Sequence, residues 1–169
     1  RKNAVINVAE KIMIAARTAP KGKGFDNLFI GMFIGEDIIT LANNMKEISK
    51  NQNVAFFERD ANNILNAEAV VIIGTKIKSL GLNPCGFCGF ENCEEKNLHS
   101  NVPCAFNSGD LGIAIGSAVS TAMQFKVDTR IMFSAGYTAI HSGLIHEDIK
   151  IAYAIPLSVS AKSPFFDRK

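Results

Sequence analysis

The apolar positions of this chain fall into two periods. Val5, Val8, Ile12 and Ala15 recur at helical spacing, which predicts an amphipathic helix over residues 4–16. Pro20 follows, and Lys21-Gly22-Lys23-Gly24 is punctuated as a loop. The run NLFIGMFI (27–34) is apolar at both even and odd positions, which predicts a strand covered on both faces. Glu36 and Asp37 suit the first turn of a helix. Ile38, Leu41, Met45 and Ile48 continue it as a buried stripe to about Lys50. FFERDANNIL (56–65) predicts a short helix, and Ala69 to Gly74 a second strand buried on both faces. Further on, Asp110 is placed to cap a helix that opens LGIAIGSAVSTAMQF. Asp128 to Ser134 reads as a strand, Tyr137 to Leu144 as a helix, and Ile149 to Ile155 as a last strand stopped by Pro156. Helices interleaved with strands in this order imply an α/β or α+β layer protein.

Composition narrows the class. The chain has 169 residues, 47% of them apolar and 20% charged. That is a globular composition, long enough for one domain with a substantial core. The formal net charge of +2 gives no bulk basicity of the kind that binds nucleic acid. No apolar run approaches the roughly 20 residues that span a bilayer. Glu10 and Lys11 interrupt the first apolar stretch, so no signal peptide is expected and the cytoplasm is the expected compartment.

All four cysteines lie in PCGFCGFENCEEKNLHSNVPC (84–104), as Cys85, Cys88, Cys93 and Cys104. Structural disulfides are rare in the cytosol, so clustered thiols there point to metal or redox chemistry. Four thiolates can hold an iron–sulfur cluster or a structural zinc. Disulfides or free thiols are the remaining alternatives. The spacing C-x2-C-x4-C-x10-C lacks the second close pair of a zinc ribbon. Gly86 and Gly89 leave room for backbone N–H groups to face sulfur. Phe87, Phe90 and Phe106 would shield a cluster from water. His99 is an alternative ligand, or a solvated loop histidine.

The other candidates are weaker. The Arg17, Lys21 and Lys23 loop suits a phosphate but lacks the P-loop pattern. Ser117 and Ser120 could contact a ligand or satisfy backbone carbonyls. Asp128 and Arg130 suit an edge-strand ion pair. His141 and His146 are candidate acids or bases, or surface groups. No Ser/His/Asp or Cys/His motif indicates hydrolase chemistry.

The string CGFCGFENC resembles the CxxCGxxxC loop of small four-iron cluster domains. AARTAPKGKGFDNLFIGMFIGEDIITLANNMKEI, NAEAVVIIG, DLGIAIGSAVSTAMQFKVDTRIMF and IAYAIPLSVSAKSPFFDRK are similar, in order, to segments of nitroreductases. Across nearly its full length the chain resembles an uncharacterised prokaryotic family described as containing a ferredoxin-type domain. ARTAPKGKG, FFERDANN, VDTRIMFSAG and IPLSVSAKSPFFDR carry that likeness.

The resemblance implies an α/β (α+β) nitroreductase-like mixed sheet flanked by helices. It implies a single domain over 1–169 with an inserted iron–sulfur loop at about 83–107. It implies a homodimer, an FMN-dependent oxidoreductase chemistry in which a cluster of the 4Fe-4S type relays electrons, and an electron-transfer partner protein. No nucleic acid and no membrane are implied. The alternative is a non-enzymatic zinc or iron–sulfur protein, structural or sensing. The R-x-S-x-R motif with which nitroreductases grip the flavin phosphate is absent from these residues. Arg17, Lys21, Lys23, Lys162 and Arg168 are the cations expected to take its place, Ser117 is a further expected cofactor contact, and Cys85, Cys88, Cys93 and Cys104 are the expected metal ligands.

Overall fold

The computed structural model describes residues 1–166. Its centre is a four-stranded sheet in the order β1-β2-β4-β3, antiparallel throughout. The strands are β1 (Leu28–Phe33), β2 (Ala69–Lys76), β3 (Asp128–Thr129) and β4 (Ile149–Ser158). The helices are α1 (Lys2–Thr18), α2 (Glu36–Gln52), α3 (Ala55–Ile64), α4 (Cys93–Asn97), α5 (Ala105–Gln124) and α6 (Phe133–His141).

The two-sided apolar run of β2 explains the layering. Successive side chains of a strand point to opposite faces. Val71 and Ile73 therefore join Ile155 and Leu157 under α1 and α5. Val70 and Ile72 join Ala152 and Ala154 under α2, α3 and α6. Both faces of the central strands are dry, which drives the sheet to the middle of a three-layer molecule. Of the stripes read from the sequence, Val5 and Ile12 of α1 and Ile38, Leu41 and Met45 of α2 are buried; in α1 the stripe is completed by Ala9 and Ala16, with Val8 and Ala15 half-buried.

Four elements differ from the sequence reading. β1 lies at the sheet edge, so only Leu28 of it is buried and the rest is half-covered. α5 begins six residues earlier than its apolar run, at Ala105, with Cys104 as N-cap. Asp110 therefore lies inside the helix and caps nothing; it serves a distant loop instead. The expected strand over 128–134 shrinks to β3 and a single bridge, Met132 to Ala154, and α6 starts at Phe133. Pro156 does not end β4, which continues to Ser158. Ala154 exchanges both backbone hydrogen bonds with Met132. Two residues on, Pro156 turns its nitrogen to the same edge, opposite the unpaired Arg130–Ile131 step. A missing N–H costs nothing there.

Gly136 sets the contact between α6 and the sheet. A Cβ on it would stand 2.2 Å from the Ala152 carbonyl oxygen, so only glycine lets the helix lie this close to β4.

Candidate functional site

The segment between β2 and α5 carries all four cysteines, with α4 as its one short helix. Gly86 at φ 121° and Gly89 at φ 88° make the turns between the first cysteines. Asn92 caps α4, its side-chain oxygen accepting the Glu95 N–H at 2.9 Å. Ser79 donates to Asn97 and so anchors the far end of α4 to the chain leaving β2. Asn107 is the inner brace. Its amide group binds the Lys78 backbone through both N–H and C=O, at 3.0 and 2.9 Å, and accepts the Cys104 N–H.

All four thiols are free; Cys104 is buried and the other three half-buried. Cys85 and Cys93 line one cavity of about 470 Å³, beside Glu91 and Glu94. The Cys104 sulfur accepts a backbone N–H from the first turn of α5. Among the described residues no three His, Cys, Asp or Glu groups converge as metal ligands. The four unoxidised thiols match the donors of an iron–sulfur cluster in number and in chemistry, and one of them is already hydrogen-bonded by backbone. Phe87 stacks on Phe106 at 5.9 Å, and Phe90 on His99 at 5.1 Å, so His99 is a packing partner of the loop.

The first loop is tied to its surroundings. Arg17 donates to Asp26 at 2.5 Å and to the Leu28 carbonyl at 3.1 Å. Burial works to raise the Asp26 pKa, but the Arg17 hydrogen bond, the Leu28 N–H and the charges of Arg17 and Lys21 outweigh it and hold the carboxyl below its ordinary value. The Lys21 ammonium donates to the carbonyls of Ala16, Arg17 and Ala19, closing the C-terminal end of α1. Lys23, at φ 53°, lies over the Phe25 ring. Ser117 donates to the Ala15 carbonyl at 3.0 Å and joins α5 to α1.

Lys162 lies elsewhere, on a cavity of about 990 Å³ where Arg1, Arg59 and Arg130 also meet, with Asn62, Asn63 and Asn66 on one wall. Arg168 lies outside the described residues. Arg1 pairs with Glu68 at 2.9 Å, and Arg59 with Asp60 at 2.9 Å. Arg130 donates to the Phe165 carbonyl, in place of the expected pairing with Asp128. Among the described residues the second carboxylate oxygen of Glu68 is buried with no hydrogen-bond partner. Arg1, Arg59, Arg130 and the three asparagines have no sequence motif; the string NNILN, with poor helix formers inside a helix, is the one local hint. His141 and His146 are exposed, His141 stacked on Tyr137 at 3.8 Å.

This fold is that of the nitroreductases and related flavoproteins. A nitroreductase of Lactococcus lactis in complex with nicotinic acid superposes with a TM-score of 0.66 over 96% of this chain and 82% of its own, at 10% identity. A nitroreductase with bound FMN from Bacteroides fragilis gives 0.63 over 96% and 81%, at 14% identity. A BluB-like flavoprotein from Clostridium difficile gives 0.60 over 96% and 84%, at 19%. At these identities the likeness is one of fold. In sequence, residues 100–168 match a family described as uncharacterised proteins containing a ferredoxin domain. An uncharacterised protein of Archaeoglobus fulgidus is 40% identical over 176 residues, spanning 99% of this chain and 94% of that protein. The chain belongs to this family. Among the described residues no helix is long and apolar enough to cross a membrane.

Proposed function

We propose that this protein is an iron–sulfur redox protein in which Cys85, Cys88, Cys93 and Cys104 hold a 4Fe-4S cluster, and that it works with FMN as an oxidoreductase. The observation that carries the reading is the collection of every thiol of the chain, all free, in one loop of a nitroreductase-type fold. Bound together, a cluster supplies one-electron exchange and a flavin one- or two-electron chemistry. The family's description as containing a ferredoxin domain supports the first half. The reading treats residues 1–169 as one domain and the cysteine segment as its inserted metal loop.

The chain's own residues have separable tasks. One backbone N–H in the first turn of α5 donates to the Cys104 sulfur. The Phe87–Phe106 and Phe90–His99 stacks lie at the loop's surface, Phe87 itself 79% exposed, so they do not form the water shield that the sequence suggested. The cavity at Lys162 is the flavin site of this proposal. Each guanidinium there has five N–H donors, and the pairs described above leave several for a phosphate. The open oxygen of Glu68 would accept from a ribityl hydroxyl or a ring N–H, ending its burial without a partner. The outward face of α5, with Gly109, Gly112, Ile113 and Gly116 exposed, is the surface a second copy would cover in a homodimer. The cytoplasm is the compartment that keeps such thiols reduced.

The test is anaerobic purification followed by iron, sulfide, zinc and extracted-flavin assays on one sample. Stoichiometric iron and sulfide with flavin are expected. One zinc per chain with neither iron nor flavin would make the loop a structural staple and end the redox reading. Cys88→Ser is expected to lose the iron and the visible absorbance; full retention would remove Cys88 from the ligand set.

A further inference from the structure

Arg59 lines the cavity that also takes Arg130 and Lys162, and its chain neighbour Asp60 is buried against α6. Adjacent residues of a helix do not face each other, so spacing alone does not bring these two together. The guanidinium reaches back to one oxygen. Its Nε donates to Asp60 Oδ1 at 3.0 Å, and its Nη2 stands 2.9 Å from the same atom. Asp60 Oδ2 is taken from the other side: the Ser134 hydroxyl donates to it at 2.6 Å. Ser134 is buried too, and its carbonyl accepts the Thr138 hydroxyl at 2.8 Å. A chain of polar contacts thus runs from inside α6, through Asp60, to a cation on the cavity wall.

Burial gives this chain its direction. The Asp60 side chain is 6% exposed and held between two helices, while that of Arg59 is 45% exposed. Asp60 is the fixed member and Arg59 the group it orients. An arginine left to itself samples many rotamers, and a ligand that needs one of them must order it. Here the carboxylate has already set the guanidinium plane. The Nε–Nη2 edge is spent on Asp60. The opposite edge keeps one N–H on each Nη nitrogen, the parallel pair that grips phosphate oxygens.

We propose that Asp60 is a positioning residue for phosphate recognition. Braced by Ser134, it holds Arg59 with the Nη1–Nη2 edge turned to the cavity, and so lets the site prefer FMN over its unphosphorylated form, riboflavin. The inference rests on the flavin reading of this cavity given above.

The experiment titrates wild type and variants with FMN and, separately, with riboflavin, each followed by quenching of flavin fluorescence. Asp60→Asn keeps the side-chain volume and an acceptor for Ser134. It is expected to bind FMN about tenfold more weakly, as for one charge-assisted hydrogen bond, and riboflavin as wild type does. Charge alone predicts the opposite sign, because this change removes a negative group beside an anion. In an Arg59→Met background Asp60→Asn should no longer weaken FMN, since its effect passes through Arg59. Ser134→Ala, which frees Oδ2 and is the milder change to the fold, should weaken FMN in the same direction and leave riboflavin alone. Unchanged or tighter FMN binding by Asp60→Asn, or equal weakening of both flavins, would overturn the positioning role. Wild type that binds FMN no tighter than riboflavin would overturn it too, while the flavin reading stands; wild type that binds neither would end both.

Discussion

The carboxylate of Asp110 accepts the backbone N–H of Gly22 on both oxygens, at 3.0 and 3.1 Å, across 88 residues of sequence. This contact joins the loop after α1 to the start of α5, beside Phe106 and next to the cysteine segment. Asp110→Ala leaves a half-buried N–H without an acceptor and should cost about 1–3 kcal/mol. Equilibrium urea unfolding measures it. A loss below a few tenths would mean that water replaces the carboxylate.

Gly136 allows α6 to touch β4. In Gly136→Ala the new methyl would meet the Ala152 oxygen at 2.2 Å and its carbonyl carbon at 2.5 Å, both backbone atoms of the central sheet. Neither can rotate away, so the helix must move. The expected loss is about 3 kcal/mol, at the upper end for overpacking, read as a lowered urea midpoint with an unchanged slope.

Asp26 makes stability depend on acid. Its folded-state pKa lies below the unfolded value of about 3.9. The stabilisation is therefore present above that value and lost as pH falls through the lower folded pKa. Wild type should lose stability between about pH 4 and its acid midpoint more steeply than Asp26→Asn. Parallel acid titrations of the two proteins would show that the Arg17–Asp26 contact contributes nothing.

Lys162 tests the flavin cavity. Lys162→Met removes one cation facing a phosphate, a charge-assisted contact of about 1.5–3 kcal/mol. FMN should bind roughly 10- to 100-fold more weakly, measured by quenching of flavin fluorescence on titration. Equal affinity would move the flavin to another site, with the loop of Arg17, Lys21 and Lys23 first in order.

Part of this site is legible in the order of the amino acids. The four cysteines are one segment of sequence, so their collection needs no tertiary information. Lys162 reads as a cofactor cation from its place in the tail, but its companions do not. Arg1, Arg59 and Arg130 come from the start of α1, from α3 and from the step after β3; only packing brings them to one cavity.

The sequence by itself determined the elements whose signal is periodic: the stripes of α1 and α2, the two-sided β2, and hence a sheet between two helical layers. Burial of an apolar face depends on neighbours three or four residues away in a helix and two away in a strand, so local order is enough. Tertiary structure decided what depends on a distant partner. Pro156 continues β4 because the chain opposite it is unpaired. Asp110 lies inside a helix with its carboxylate taken by the distant Gly22 N–H, and Lys21 closes α1 by turning back on its carbonyls. A polar side chain is satisfied by whichever group folding brings within about 3 Å, and no local period encodes that group.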